Sequence, residues 1–371
     1  MIKKLGSFLQ GDFIKKSIKV LSLRFSGIGI QFIILLVLTN FFSESLVGQF
    51  NYINTVLILI SSICLLGMNE SFIQFSGKLE AINEEFKIRQ LYFKKLYILI
   101  ISYVLITLLY ILISKVNLFS FFNESNIFLF NKTFYAVFFL SLSLLNFQVI
   151  RGLRKLFISE FYRNIIRYGF ILICVLIVLV FRLKANLILE SFIISFFIIA
   201  FITTFYILKL TKNHKNKKQL EFTYKEIIKT SAPMSLSFIS LLLMQSFDII
   251  MLEYYTTLEQ VAYYSIGVKL TFIVGVMLLT INSVIAPDIS KLWFQNEKDK
   301  LNNLLQKAIK LNFIITIPLI LILLVFSKQI LSLFGPNYYK SQYALIILLI
   351  GQIINSLSGS VGLYLRMSDR I

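Results

Sequence analysis

LILESFIISFFIIAFITTFYILKLTKNHKNKKQLEFTYKEIIK, residues 187–229, sets out the two signals from which the rest of the chain can be read. From Leu187 to Leu208 the segment is almost wholly apolar, with one acid, Glu190. Crossing the hydrocarbon core takes about 20 residues of helix. Every backbone polar group must be paired within such a run, so it is a helix. After it come Lys209, Lys212, Lys215, Lys217, Lys218, Lys225 and Lys229. An apolar run closed by a basic cluster reads as a span that ends on the cytoplasmic face.

The same alternation recurs along the whole chain. Ten candidate spans fall at roughly 20–42, 52–68, 97–114, 128–149, 165–182, 187–209, 233–254, 266–286, 309–327 and 342–364. Placing the N-terminus in the cytoplasm puts twenty-nine Lys and Arg on that side and six on the other, with Arg24 and Lys269 inside spans. This asymmetry predicts ten spans with both ends in the cytoplasm. It also accounts for the net charge of +19 without nucleic acid, since the basic loops meet anionic lipid headgroups. At 57% hydrophobic and 15% charged residues, the chain lies outside the range of soluble domains. Cys64 and Cys174 lie in apolar runs and read as core residues, not a disulfide or a metal pair. His214, the single histidine, sits in the Lys-rich loop, so no zinc site and no cofactor are expected. MIKKLGSFLQGDFIKKSIKV, residues 1–20, has no small-residue cleavage site.

The polar stretch 211–229 divides six spans from four. The expected organisation is an N-lobe over 1–210, a cytoplasmic linker over 211–229 and a partial C-lobe over 230–371. An internal repeat supports two lobes. LTNFFSESLVGQF (38–50) matches LEYYTTLEQVAYY (252–264) at an offset of 214, pairing Val47 with Val261, Gly48 with Ala262 and Phe50 with Tyr264. Each segment follows the first span of its half. Repeated halves are common in transporters.

Several segments, in order, resemble one family. They are VGQFNYINT (47–55), LLGMNESFIQFSGK (65–78), IRGLRKLFISEFYRNIIR (150–167), PMSLSFISLLLMQSFDIIML (233–252), VAYYSIGVKL (261–270), IAPDISKLW (285–293) and ILSLFGPNYYKSQYALIILLIGQIINSLSG (330–359). Together they resemble the bacterial polysaccharide-biosynthesis or O-antigen repeat-unit flippases of the multidrug/oligosaccharidyl-lipid/polysaccharide (MOP) exporter superfamily. The resemblance implies an all-α, polytopic membrane protein: a MATE-like inverted-V bundle of about ten helices in two lobes, six plus four. Family members usually carry twelve or more spans in two lobes. The expectation here is a chain that lacks the last spans.

No Ser/His/Asp set, phosphate loop or paired catalytic carboxylates stands out, so the expected protein is not an enzyme. Ionisable residues inside spans are costly and mark candidate sites. Asp248 shares a helical stripe with Ser237 and Gln245. Either it faces a cavity, binding a coupling ion or pairing with a cation, or it ties neighbouring helices. Arg24 shares a stripe with Gly27 and Gln31. Either it binds a phosphate in a cavity or it snorkels to headgroups. The resemblance favours the first, since cavity arginines in early spans recur among lipid flippases. Lys269, in line with Thr280, Ser283 and Pro287, either pairs with Asp248 or snorkels outward. Gln352, Asn355, Ser356 and Gly359 form a stripe that either glues helices or faces a sugar. Asn51, Asn54, Thr55 and Ser61 invite the same two readings. Pro287 and Pro318 either bend moving helices or make static kinks.

The expected function is a flippase moving a lipid-pyrophosphate-linked oligosaccharide across the inner membrane by alternating access. The sugar would be an O-antigen (lipopolysaccharide), capsule or exopolysaccharide repeat unit. A coupling ion, Na+ or H+, and a polymerase or other polysaccharide-assembly proteins are the expected accessories. The rival readings are a drug/cation antiporter of the same superfamily and a non-transporting scaffold of polysaccharide assembly.

Overall fold

A computed structural model describes residues 12–81, 84–115, 124–212, 220–294, 297–359 and 361. The described residues form thirteen α-helices: α1 (Asp12–Phe41), α2 (Glu44–Leu65), α3 (Met68–Ala81), α4 (Ile88–Lys115), α5 (Glu124–Gly152), α6 (Leu156–Glu160), α7 (Arg167–Val180), α8 (Leu187–Leu210), α9 (Tyr224–Tyr255), α10 (Leu258–Phe294), α11 (Lys298–Val325), α12 (Ser327–Ser332) and α13 (Gln342–Ser358). One π-helical turn, Phe161–Ile166, joins α6 to α7. His214, the lysines of 213–219, and Arg366 and Arg370 lie outside the described residues.

Eight of the described segments are long and apolar enough to cross a membrane: Ser22–Phe41, Glu44–Leu65, Glu85–Leu112, Phe134–Gly152, Leu156–Val180, Leu187–Leu210, Lys298–Val325 and Tyr338–Ser358. The seventh and eighth expected spans fall inside α9 and α10, of 32 and 37 residues. At about 1.5 Å per residue both exceed the ~30 Å hydrocarbon thickness. The chain is an all-α, multi-pass membrane protein.

It divides into two compact units, Met1–Thr256 and Thr257–Ile371. The first includes α9, so the boundary falls after that helix and not at the polar linker before it. The reason is local. Lys94 of α4 donates to the carbonyls of Leu220 (3.3 Å) and Phe222 (2.7 Å), and the Leu220 N–H donates to Gln90 Oε1 at 2.7 Å. Phe222 lies edge-on to Phe75. Thr223 and Glu226 then close a capping box that starts α9. Further along, the Ser231 hydroxyl shares a 2.6 Å hydrogen bond with that of Ser71.

Inside the first unit, helices are tied by buried polar bonds as well as by shape. The Tyr92 hydroxyl donates to Asn146 Oδ1 (3.0 Å), and Asn146 Nδ2 donates to Thr203 and Thr204 Oγ1, each at 2.9 Å. That network joins α4, α5 and α8. Ser61 and Ser141 exchange hydrogen bonds with backbone carbonyls across α2 and α5. In lipid such bonds act as glue, since apolar side chains gain little by leaving hydrocarbon. Cys64 is buried and Cys174 half-buried, both as free thiols, so only the first is a core residue.

In the second unit, Ile285 and Ile289 of α10 pack on Leu301 and Ala308 of α11. Asn312 Nδ2 donates to Ser356 Oγ (2.9 Å), and the Thr316 and Ser356 hydroxyls are bonded at 2.7 Å. All three residues are buried. For Ser356 the glue reading of the span-ten stripe therefore holds.

The repeat extends to helix boundaries. α1 ends at Phe41 and α9 at Tyr255; α2 begins at Glu44 and α10 at Leu258. Each pair is separated by the same offset of 214 residues. Val47 and Val261 are both fully buried.

Candidate functional site

Near the start of the membrane span Ser22–Phe41, midway along α1, Arg24 points at the turn where α6 becomes the π-helical segment. Its Nη2 donates to Glu160 Oε1 at 2.8 Å and its Nε to Oε2 at 3.2 Å. This is a two-point guanidinium–carboxylate pair. The two partners are unequally placed: the arginine side chain is 45% exposed, the glutamate side chain 4%. Asn164 Nδ2 adds a third bond, to Glu160 Oε2 at 2.8 Å. The helices can come this close because residue 27 is glycine. A Cβ there would lie 2.7 Å from Asn164 Cβ and 3.0 Å from the Asn164 carbonyl oxygen. A π turn widens the helix by one residue and often occurs at functional sites. Here it carries Asn164 against Gly27.

The other sequence-expected residues are scattered. Gln31 is exposed on α1 while Gly27 is buried, so the Arg24–Gly27–Gln31 stripe straddles an edge and forms no single wall. Asn54 is half-buried on α2, between the buried Asn51 and Thr55. Gln245 is exposed on α9. Asp248 is half-buried, and its Oδ1 accepts from the backbone N–H of Ile249 at 2.9 Å. Lys269 is half-buried on α10 and belongs to the second unit. Gln352 is half-buried and accepts from Asn355 Nδ2 at 3.3 Å; Asn355 is exposed while Ser356 is buried, so this stripe also divides between two faces. The side chains of Ser237, Thr280, Ser283 and Pro287 are not among those described.

Counting Arg24 and Lys269 against Asp248 as the in-span charges is incomplete. Lys95, grouped with a basic loop by sequence, is fully buried. Its ammonium donates to the Met68 carbonyl (3.0 Å) and Ser71 Oγ (2.7 Å) and lies over the rings of Phe72 and Phe75. Arg167, grouped with the next basic loop, is 6% exposed and lies over Tyr168 and Phe196. Its Nε has no hydrogen-bond partner among the described residues. Glu253, at the end of α9, is 4% exposed and bonded to the Tyr52 hydroxyl. Helical spacing could have found two of these. Lys95 shares a face with Leu91, Tyr92, Ile98 and Leu99, and Glu160 shares one with Asn164 and Arg167.

A cleft of 240 Å³ opens at the ends of α3 and α5, lined in part by Glu80, Glu85, Arg154 and Lys155. Arg154 donates to Glu80 at 3.0 and 2.5 Å. Its charges are matched within the cleft, unlike the half-exposed Arg24.

Apolar helices in two units, whose boundaries repeat at an offset of 214, define an all-α, multi-pass membrane fold. The chain belongs to the family described as "Polysaccharide biosynthesis protein", whose model matches residues 13–293. A second family model, MatE, matches residues 233–370. No curated protein matches the sequence. Among solved structures, an inward-facing multidrug resistance MATE family transporter of the MOP superfamily is similar at TM-score 0.69 and 13% identity, over 95% of this chain and 86% of that one. The lipid II flippase MurJ in an inward closed conformation is similar at TM-score 0.65 and 15% identity, over 95% and 78%. An outward-facing MATE family transporter gives 0.65 and 14%, over 98% and 84%. At these identities the likeness is one of fold, which the transporters and the flippase share.

Proposed function

We propose that this chain moves a lipid-linked oligosaccharide, such as an O-antigen, capsule or exopolysaccharide repeat unit, from the inner to the outer leaflet of a bacterial inner membrane. It makes and breaks no bond. Its N- and C-termini face the cytoplasm, in keeping with the excess of Lys and Arg in alternate loops. The observation that carries the reading is Arg24: a half-exposed guanidinium near the start of the span Ser22–Phe41, in a chain of the polysaccharide biosynthesis family. One structure of the same fold is a lipid II flippase, whose name gives it a lipid-linked cargo.

In this mechanism the headgroup enters from the cytoplasm and its phosphates meet Arg24. Rearrangement of the lobes then exposes the site outward while the lipid tail stays in the bilayer. No cofactor takes part. A Na+ or H+ gradient, polysaccharide polymerase and other assembly proteins are the accessories this reading calls for. Polar side chains at Gln31, Asn54, Gln245, Asp248, Lys269, Gln352 and Asn355 are the candidates for sugar or ion contacts.

The test is rescue of surface polysaccharide in a flippase-deficient strain that makes the matching repeat unit. Rescue by the wild type and loss of rescue in Arg24→Ala at equal membrane abundance are expected. No rescue by well-expressed wild type would end the reading. A drug/cation antiporter is the second reading, favoured by the MatE match over residues 233–370. It predicts proton- or sodium-driven efflux of organic cations from cells expressing the chain, and no effect on surface polysaccharide.

A further inference from the structure

Arg24 is already saturated on one edge. A guanidinium offers a planar fork of donors to a carboxylate or a phosphate alike, and Glu160 occupies two of them. The asymmetry of the pair is what matters. Glu160 is held from its own turn by Asn164 and lies in the field of Arg163. Losing Arg24 would therefore not strand it. Arg24 rises from α1 with nearly half of its side chain exposed, so it can turn to a new anion at small cost. A charge taken out of water is costly and needs a partner. This pair buries the acid and leaves the base accessible.

We propose that Glu160 is a resident counter-ion for Arg24, which an incoming phosphate-bearing headgroup displaces. Glu160 then sets how tightly an anionic headgroup is held. The ligand class follows from the flippase reading and the inference rests on it in that respect. The physical content is a competition: carboxylate and phosphate oxygens seek the same two N–H groups. Removing the carboxylate's charge should strengthen anion binding, which is opposite to what loss of a merely structural salt bridge does. Too tight a grip also slows release, so the same change should lower turnover.

The experiment uses the full chain in phosphatidylcholine nanodiscs. Three probes are titrated: farnesyl pyrophosphate, inorganic pyrophosphate and, as the uncharged control, farnesol. Glu160→Gln should bind farnesyl pyrophosphate about tenfold tighter than wild type, a change of roughly 1.4 kcal/mol. Farnesol binding should not change. Arg24→Ala should abolish the gain in the Glu160→Gln background. A gain for inorganic pyrophosphate equal to that for farnesyl pyrophosphate supports the counter-ion role and assigns the site to free phosphate-bearing anions. A gain confined to farnesyl pyrophosphate supports it and assigns the site to lipid headgroups. Should Glu160→Gln fail to fold, Glu160→Asp keeps the charge but withdraws it by one methylene, and a gain of a few-fold is expected. Unchanged or weaker anion binding in a folded variant, or a gain that survives Arg24→Ala, overturns the proposal. Rescue of surface polysaccharide by wild type measures the flippase reading separately, so either can fail without the other.

Discussion

The second helix of each repeat begins at an equivalent residue, and the two then behave differently. From Glu44 the first runs 22 residues, breaks at Leu66–Gly67, and resumes from Met68 for 14 residues. From Leu258 its counterpart runs 37 residues to Phe294 without interruption. Both cover nearly the same stretch of sequence. At the break, Leu66 (φ 47°) and Gly67 (φ 71°) are both left-handed. The left-handed conformation costs a leucine roughly 1–2 kcal/mol. It persists because the surroundings hold it: α9 passes directly over Gly67, and a Cβ there would lie 2.3 Å from the Ser231 carbonyl oxygen and 2.7 Å from the Ser235 nitrogen. Below the break, Lys95, Ser71 and Ser231 form a continuous hydrogen-bonded chain from α4 through α3 to α9. α10 has Ile281 where α2–α3 has Gly67, and no break occurs. The duplication sets where the helices begin and end. Close backbone contact with a neighbour sets where one of them breaks.

Gly67→Ala attacks the broken member directly. It adds a strained φ to an overlap with backbone that cannot move aside, and should cost more than about 3 kcal/mol. The readout is membrane abundance and thermal unfolding in detergent; wild-type stability would show that the break is incidental. Lys95→Ala comes next, at about 2–4 kcal/mol, from the cavity and the lost bonds to Ser71 and Met68. Lys95→Met fills the same volume and should cost less than about 1.5 kcal/mol. If Lys95→Met keeps its stability and loses polysaccharide rescue, the ammonium does more than hold the break. Ser71→Ala and Ser231→Ala should each cost about 1 kcal/mol, with a coupling of at least about 0.5 kcal/mol in the double-mutant cycle. Additivity would separate α3 from α9 energetically. The smallest effect concerns the start of α9. Bonds from Thr223 hold the Glu226 carboxyl below its usual range. A lowered acid pKa stabilises the fold above the unfolded value and is lost as pH falls through the folded one. Wild type should therefore lose a small increment of stability below about pH 4.5 that Glu226→Gln lacks at every pH.

Much of this was legible in the sequence, for a stated reason. Spans announce themselves as apolar runs between basic clusters, and the turns at 42–43 and 256–257 as matching aromatic-rich segments. Gly67 sat in a visible LLGMNE. Lys95 reads as a loop charge because positive charges near span ends normally belong to loops; only its helical face shows that α4, starting at Ile88, carries it two turns into a buried side. The partner of Arg24 was hidden by distance: Glu160 is 136 residues away, and no local pattern pairs them. Nor does any spacing signal that α9 leans on the first unit, since that follows from Gln90 and Lys94 meeting residues 220–222.

Those same strap contacts bear on biogenesis. A nascent chain is threaded from its N-terminus, and Gln90 and Lys94 are in place long before Leu220 is made. The landing point of the linker is thus ready when α9 emerges, and the capping box at Thr223 starts the new helix already docked. The first unit can be finished before any residue past Thr256 leaves the ribosome.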